Sequence, residues 1–356
     1  MSKIALFSAF TLQNWDWNTP DTTGIGGSET AHIEMAKRLA KRGHEVVSFI
    51  PFGGGNTIAE SVSWRDSDTI AQQIGQLVDY TWFVYRAPQF FDLDLPKGKY
   101  FFVAQDIGYD FTPEQLAKID GYICLCEDHC KYTAARYPSL KGRIFKSSNG
   151  IKRDLIEKIE KEQIVRNPKK LIYASSPDRG LELLLTDWFR IREFVPDAEL
   201  HVFYGRNNMH KMMDRGAEYL KPLDASLNAL KDQPGVHWRG RINQPDLIRE
   251  MLSASIWPYF SDWRETSAIQ CMEMQVCGVT PVTNRLWAVG ENVFHGVMLD
   301  GIPQVDNVTR MSLIHETINL LKSPMSDAER AEMMLDARQT FDWEKFVSQW
   351  SDWANA

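Results

Sequence analysis

Short apolar runs alternate with segments of helical periodicity along the whole chain, and this alternation constrains the fold more than any other feature. "KIALFSAF" reads as a buried strand. After the polar loop "TLQNWDWNTPDTTGIGG", Ala31, Met35, Ala36, Leu39 and Ala40 recur at helical spacing. Gly43 supplies the stop, and "EVVSFI" is the next strand. "YTWFVYRA", "KYFFVAQD", "DGYICLCE" and "RIFKSSNGI" continue as strands, with a helix over "CEDHCKYTAARY" ended by Pro138. "KKLIYASS" opens a second series: the helical "DRGLELLLTDWFRIREFV", the strand "AELHVFYG", then "GVHWRGRI", "IWPYF" and "VTPVTN" with helices between them. Strand–helix–strand units in series specify an α/β protein with parallel sheets, here built twice.

A chain of 356 residues exceeds what one core usually supports. The charged stretch 152–170 is short of core residues and marks the boundary, giving domains at 1–165 and 166–340. In the tail, 341–356, Phe346, Gln349, Trp350 and Trp353 share one helical face, which suits packing on the protein or lying on a membrane surface. A net charge of −7 argues against a surface that grips nucleic acid throughout. Residues 131–170 nevertheless hold twelve Lys/Arg against four Asp/Glu. A solvated helix and linker is one reading; a patch for an anionic partner, a membrane surface or nucleic acid, is the other. Five cysteines in a long chain are not a disulfide framework, and Cys124, Cys126 and Cys130 read as buried thiols rather than metal ligands. With neither a signal peptide nor a run of about 20 apolar residues, a cytoplasmic protein is expected, or one peripheral to a membrane.

Two motifs carry chemistry. "TTGIGGSET" places Gly24, Gly26 and Gly27 before a helix. The third position of a dinucleotide fingerprint is Glu29, and the first strand lies too far upstream, so a tight pyrophosphate turn is excluded. Glycine backbone at a helix start still suits an anion or a sugar hydroxyl. The second motif is "WRETSAIQCMEMQVCGVTPV". Thr266 and Ser267 are expected to open a helix whose free N–H groups suit a diphosphate, with Glu273 about two turns in. Glu265 and Glu273 then serve as acceptors for neutral hydroxyls, of a hexose and a ribose respectively.

The spacing from Glu265 to Glu273, followed by "VCGVTPV", resembles the signature of retaining glycosyltransferases of the GT-B fold, family 4 in particular. "GIGGSETAHIEMAKRLAKRGHEV", "SSNGI" and "YASSPDRGLELLL" are similar to that family's glycine loop, domain junction and opening of the nucleotide-binding domain. The resemblance implies two Rossmann-like doubly wound domains facing each other across a cleft. The N-terminal domain takes the acceptor, the C-terminal domain takes the donor, and the C-terminal helix returns to the N-terminal domain. It implies roles at matching positions. Gly26 and Gly27 approach the donor diphosphate and the acceptor, and Arg179 neutralises phosphate charge. Thr266 and Ser267 supply backbone donors, Glu273 holds the ribose, and Glu265 holds the transferred sugar. The chain departs from the pattern where Ser175 and Ser176 replace an expected arginine, leaving Arg241 and Arg264 as candidates for the second phosphate cation. Gln105 and Asp106 stand where many members carry histidine, so either is a candidate to contact the sugar. Two D-x-D triplets, Asp66-Ser67-Asp68 and Asp92-Leu93-Asp94, are what chance supplies in an acidic chain, and no metal is expected.

The expected activity is metal-independent hexosyl or pentosyl transfer, with retention, from a nucleoside-diphosphate sugar to an acceptor hydroxyl. The donor is a co-substrate, with UDP-sugar favoured, and no other cofactor is expected. Catalytic roles fall to Glu265, Arg179 and Asp106, and acceptor binding to Trp15, Trp17 and Gln105. The acceptor is a glycan, a glycolipid or, alternatively, nucleic acid. The rival readings are a nucleotide-sugar-binding protein without transferase activity and an epimerase or hydrolase of the same fold.

Overall fold

A computed structural model of the chain describes residues 1–9 and 12–356. Most of the apolar runs become strands that are buried on both faces and so show no alternation. The strands of the first sheet are β1 (Lys3–Ser8), β2 (Glu45–Ile50), β3 (Thr57–Ala59), β4 (Val62–Asp66), β5 (Tyr80–Tyr85), β6 (Gly98–Val103), β7 (Gly121–Cys124) and β8 (Ile144–Lys146). Their order is β3-β4-β2-β1-β5-β6-β7-β8. All pairings are parallel except β3 with β4. The strands of the second sheet are β9 (Lys170–Tyr173), β10 (Glu199–Phe203), β11 (Val236–Gly240), β12 (Ile256–Tyr259), β13 (Thr280–Asn284) and β14 (Val297–Leu299). This sheet is parallel throughout, in the order β11-β10-β9-β12-β13-β14.

The chain divides into two compact units: 1–20 with 25–150 and 342–356, and 21–24 with 151–341. Helix Arg153–Glu160, which lies before the boundary read from charge at 165, belongs to the second unit. Its partner there is Arg338, whose guanidinium bonds the Glu160 carboxylate. The first core gathers Phe7, Phe49, Trp82, Phe90 and Tyr100, and the second Tyr173, Trp188, Trp257 and Tyr259.

The tail is helix Trp343–Asn355. Trp350 stacks on Phe83 with ring centres 4.5 Å apart, and Trp353 stacks on Phe101 at 6.0 Å. Gln349 donates to the Lys146 carbonyl, and Arg38 reaches Glu344 at 2.8 Å. The shared face expected from sequence thus meets the first sheet, and the membrane-surface reading of the tail falls away. Among the described residues no helix is long and apolar enough to cross a membrane.

One expected helix is two. Leu181–Thr186 and Trp188–Phe194 are separated at Asp187, whose carboxylate is engaged by Arg190 and Arg310. Helices Asn207–Asp214 and Lys221–Leu230, neither expected from sequence, follow β10.

Candidate active site

In the second sheet the strand order reverses between β9 and β12. Connections leave these neighbours in opposite directions, which opens a crevice at their carboxyl ends. The loops after the two strands meet there. Gly180 has φ +99°, and a Cβ would strike the Phe260 carbonyl oxygen, so glycine is required for the approach. The preceding Arg179 lies with its guanidinium carbon 3.3 Å from the centre of the Trp263 ring, and its Nε is 3.8 Å from Glu265 Oε1. The same carboxylate oxygen accepts a 2.7 Å bond from the Tyr259 hydroxyl. Arg179 Nη1 is buried and has no hydrogen-bond partner.

The helix carrying Glu273 spans Ile269–Val276. Ala268, at φ 54°, caps it in the left-handed conformation. The expected start at Thr266 is therefore corrected: Thr266 and Ser267 lie in the turn before the helix, and Glu273 stands little more than one turn in. Both turn residues are buried, and Ser267 Oγ lacks a partner. Glu273 is buried and accepts a 2.8 Å bond from Gln244 Nε2. Burial pushes its carboxyl up to about 7, against the pull of the Gln244 bond and the Lys152 ammonium. Gln244 Oε1 and Arg241 Nη2 are likewise buried without partners. The Arg241 guanidinium stacks over Tyr204, with its carbon 4.5 Å from the ring centre. Arg264 is exposed, 5.7 Å from the Trp287 ring centre, whereas Arg241 is half-buried. Ser175, where an arginine was expected, bonds Gln270 instead.

In the first unit, Gly26 caps helix Gly27–Lys41. A Cβ at Gly26 would come 2.6 Å from Glu29 Oε2, so this carboxylate folds back over the glycine. Glu29 faces Arg86 at 3.7 Å, and Arg86 in turn pairs with Asp106 at 2.6 Å. Burial alone would depress Arg86, but the Asp106 and Glu29 carboxylates prevail and raise it. Gln105 is buried and accepts a 3.1 Å bond from Asn149, whereas Asp106 keeps 42% of its side chain exposed.

Other expected site residues are placed differently. Trp15 is 2% exposed and packs edge-on against His32 at 5.6 Å. Its expected role against an acceptor is corrected, because its ring faces are already covered. Trp17 is half-buried and stacked on Trp64. In the basic segment, Lys131, Arg136, Lys146, Lys152 and Arg153 all face carboxylates, which favours the solvated reading over a patch for an anion. Asp66 caps the turn Ser67–Thr69, and Asp92 accepts from Gln115, so both D-x-D triplets have local structural roles. All five cysteines are free thiols.

Sequence reasoning missed Tyr259, Trp263, Tyr204 and Gln244 at the first crevice, and Arg86 in the first unit. Trp263 and Tyr259 flank the Glu265 motif, and that adjacency is the signal that could have found them. Nothing in the sequence pattern points to Arg86.

No family model matches the sequence, and no curated protein matches it. Solved structures do. Sucrose-phosphate synthase from Thermosynechococcus elongatus superimposes with a TM-score of 0.71 at 13% identity, covering 100% of this chain and 98% of that one. A glycosyltransferase from Rickettsia africae ESF-5 gives 0.72 at 14%, over 99% and 97% of the two chains. Anabaena HepE in complex with UDP-glucose gives 0.64 at 14%, over 99% of both. At these identities the likeness establishes the fold, which is that of the GT-B glycosyltransferases.

Proposed function

We propose that the protein is a retaining glycosyltransferase that moves a sugar from a nucleoside-diphosphate sugar to an acceptor hydroxyl. One observation carries this reading. Four buried polar atoms, Arg179 Nη1, Arg241 Nη2, Gln244 Oε1 and Ser267 Oγ, have no partner, and all lie on segments at or just beyond the carboxyl edge of one parallel sheet. An unsatisfied buried polar atom costs about 1–3 kcal/mol, so four on one edge are what a polar, anionic ligand would satisfy.

Arg179 and Arg241 neutralise the diphosphate as charge grows on the leaving group. Glu273 accepts the ribose hydroxyls, and Glu265, steadied by Tyr259, accepts from the transferred sugar. The acceptor oxygen bonds to the anomeric carbon on the face that the phosphate oxygen leaves, and that phosphate oxygen takes the acceptor proton. With two guanidinium groups serving the diphosphate, transfer needs no metal. A UDP-sugar is the favoured donor, supported by the Anabaena neighbour's complex with UDP-glucose. Gln105 and Asp106 are the acceptor-side candidates.

The test is nucleotide release from UDP-, GDP- and ADP-sugars, with and without acceptor extracts. Release that depends on an extract supports transfer. Equal release without one makes the protein a hydrolase, and binding of a donor without turnover makes it a binding protein. Transfer abolished by EDTA and restored by Mn²⁺ would overturn the metal-free step.

A further inference from the structure

At the opposite end of the same sheet a second cluster serves no part of this chemistry. Glu199 and His201 alternate with the core residues Leu200 and Val202 on β10, so the first two share the other face. His237 on β11 is paired directly with His201 across the parallel ladder. Their ligand atoms all lie within 4.8 Å of one another, and His201 Nε2 is already 3.3 Å from Glu199 Oε2. Among the described residues this is the one group of three such side chains with that geometry.

We propose that Glu199, His201 and His237 bind a first-row transition metal ion, with zinc the best match. Two imidazoles and a carboxylate are a borderline-soft set with an open position for water. Zinc holds such ligands at about 2.0–2.2 Å, which sets tetrahedral ligand atoms about 3.4 Å apart. The Glu199–His201 pair meets that spacing as it stands. His237 is only half-buried, and a ring rotation brings it in.

Two cations lie near. The Lys170 ammonium is held by Glu250 and Ser253 on the Ser253 side of its strand. Arg239 donates to His201 Nδ1 at 3.4 Å, which leaves the ring proton on Nε2, facing Glu199. Metal at Nε2 requires that proton to move to Nδ1 and Arg239 to withdraw. Arg239 is exposed and free to do so. The ion then joins β10 to β11, the edge strand of the sheet, and adds metal bonds to the backbone pairing and the His201–His237 ring contact between them. The cluster sits in the amino-terminal half of the strands. Arg179, Arg241 and Glu265 follow the carboxyl ends, so the clasp acts on stability and leaves donor binding alone.

The full chain is stripped with EDTA, desalted and titrated with Zn²⁺ by calorimetry and with Co²⁺ by absorption. One equivalent is expected, with d–d bands of a nitrogen and oxygen site, a higher melting temperature and slower amide exchange in β11. His237→Gln and Glu199→Gln fold normally by circular dichroism, and each weakens binding about tenfold or more. UDP affinity is the same in both variants, which separates this proposal from the glycosyltransferase reading. Absence of binding, an undiminished equivalent in His237→Gln, or thiolate-to-cobalt charge transfer overturns the proposal.

Discussion

Glu273 is an acid buried beside a neutral amide, and its protonation has a definite sign. Its folded value of about 7 exceeds its ordinary 4.5, so the folded chain holds the extra proton between those limits. This contribution to stability is complete below about pH 4.5 and is lost as pH rises through about 7, a change of about 3 kcal/mol. Ribose hydroxyls donating to the carboxylate favour its charged form. Nucleotide affinity should therefore rise with pH up to about 7 and then level off. Calorimetry across that range checks this, and Glu273→Gln should give a flat profile; a variant that keeps the slope places the titration elsewhere. Arg179→Ala should lower kcat/KM about 10²–10³-fold by removing charge from the leaving diphosphate. Steady-state assays over a substrate range decide it, and full activity refutes the assignment. As candidates, Glu265 and Glu273 are legible from their spacing, and Arg179 from the likeness of its turn to the family's pattern. Tyr259 and Trp263 stand beside the Glu265 motif in sequence, but folding supplies their contacts with Glu265 and Arg179, and no pattern announces Arg86.

Among elements, the loop through Gly180 and the tail helix show two kinds of dependence. Gly180→Ala meets a left-handed φ and the Phe260 carbonyl together. It should cost more than the roughly 1 kcal/mol of a simple αL penalty and should impair donor binding as the loops part. Urea melts and UDP titration of the same variant measure both. Trp350 is 2% exposed, stacks on Phe83 and donates its indole N–H to Ser147. Trp350→Ala should destabilise the protein by about 3–5 kcal/mol in urea melts. Glu344→Ala removes only partly exposed ion pairs with Arg38 and Arg42 and should cost about 1 kcal/mol or less. The tail's apolar face was readable at helical period. The start of the Glu273 helix was not, because the left-handed turn at Ala268 carries no glycine or asparagine to mark it.

For the molecule as a whole, two cores predict two transitions. A nucleotide bound at the second sheet should raise only the second unit's melting temperature, by about 2.7 kcal/mol of added stability at a hundredfold excess over Kd. Differential scanning calorimetry with and without UDP tests this, and an equal rise in both transitions would refute it. Two parallel α/β sheets were legible from the repeated alternation. The strand orders were not, because strands apolar on both faces carry no register in their sequence.

The first unit takes residues 342–356 from beyond the whole of the second. A ribosome releases the eight strands of the first sheet long before the helix that covers Phe83 and Phe101. During that interval the sheet presents bare aromatic rings, and the second unit can finish folding first. Nascent chains stalled before Trp343 should therefore recruit hydrophobic-binding chaperones, and release of the last helix should end the association.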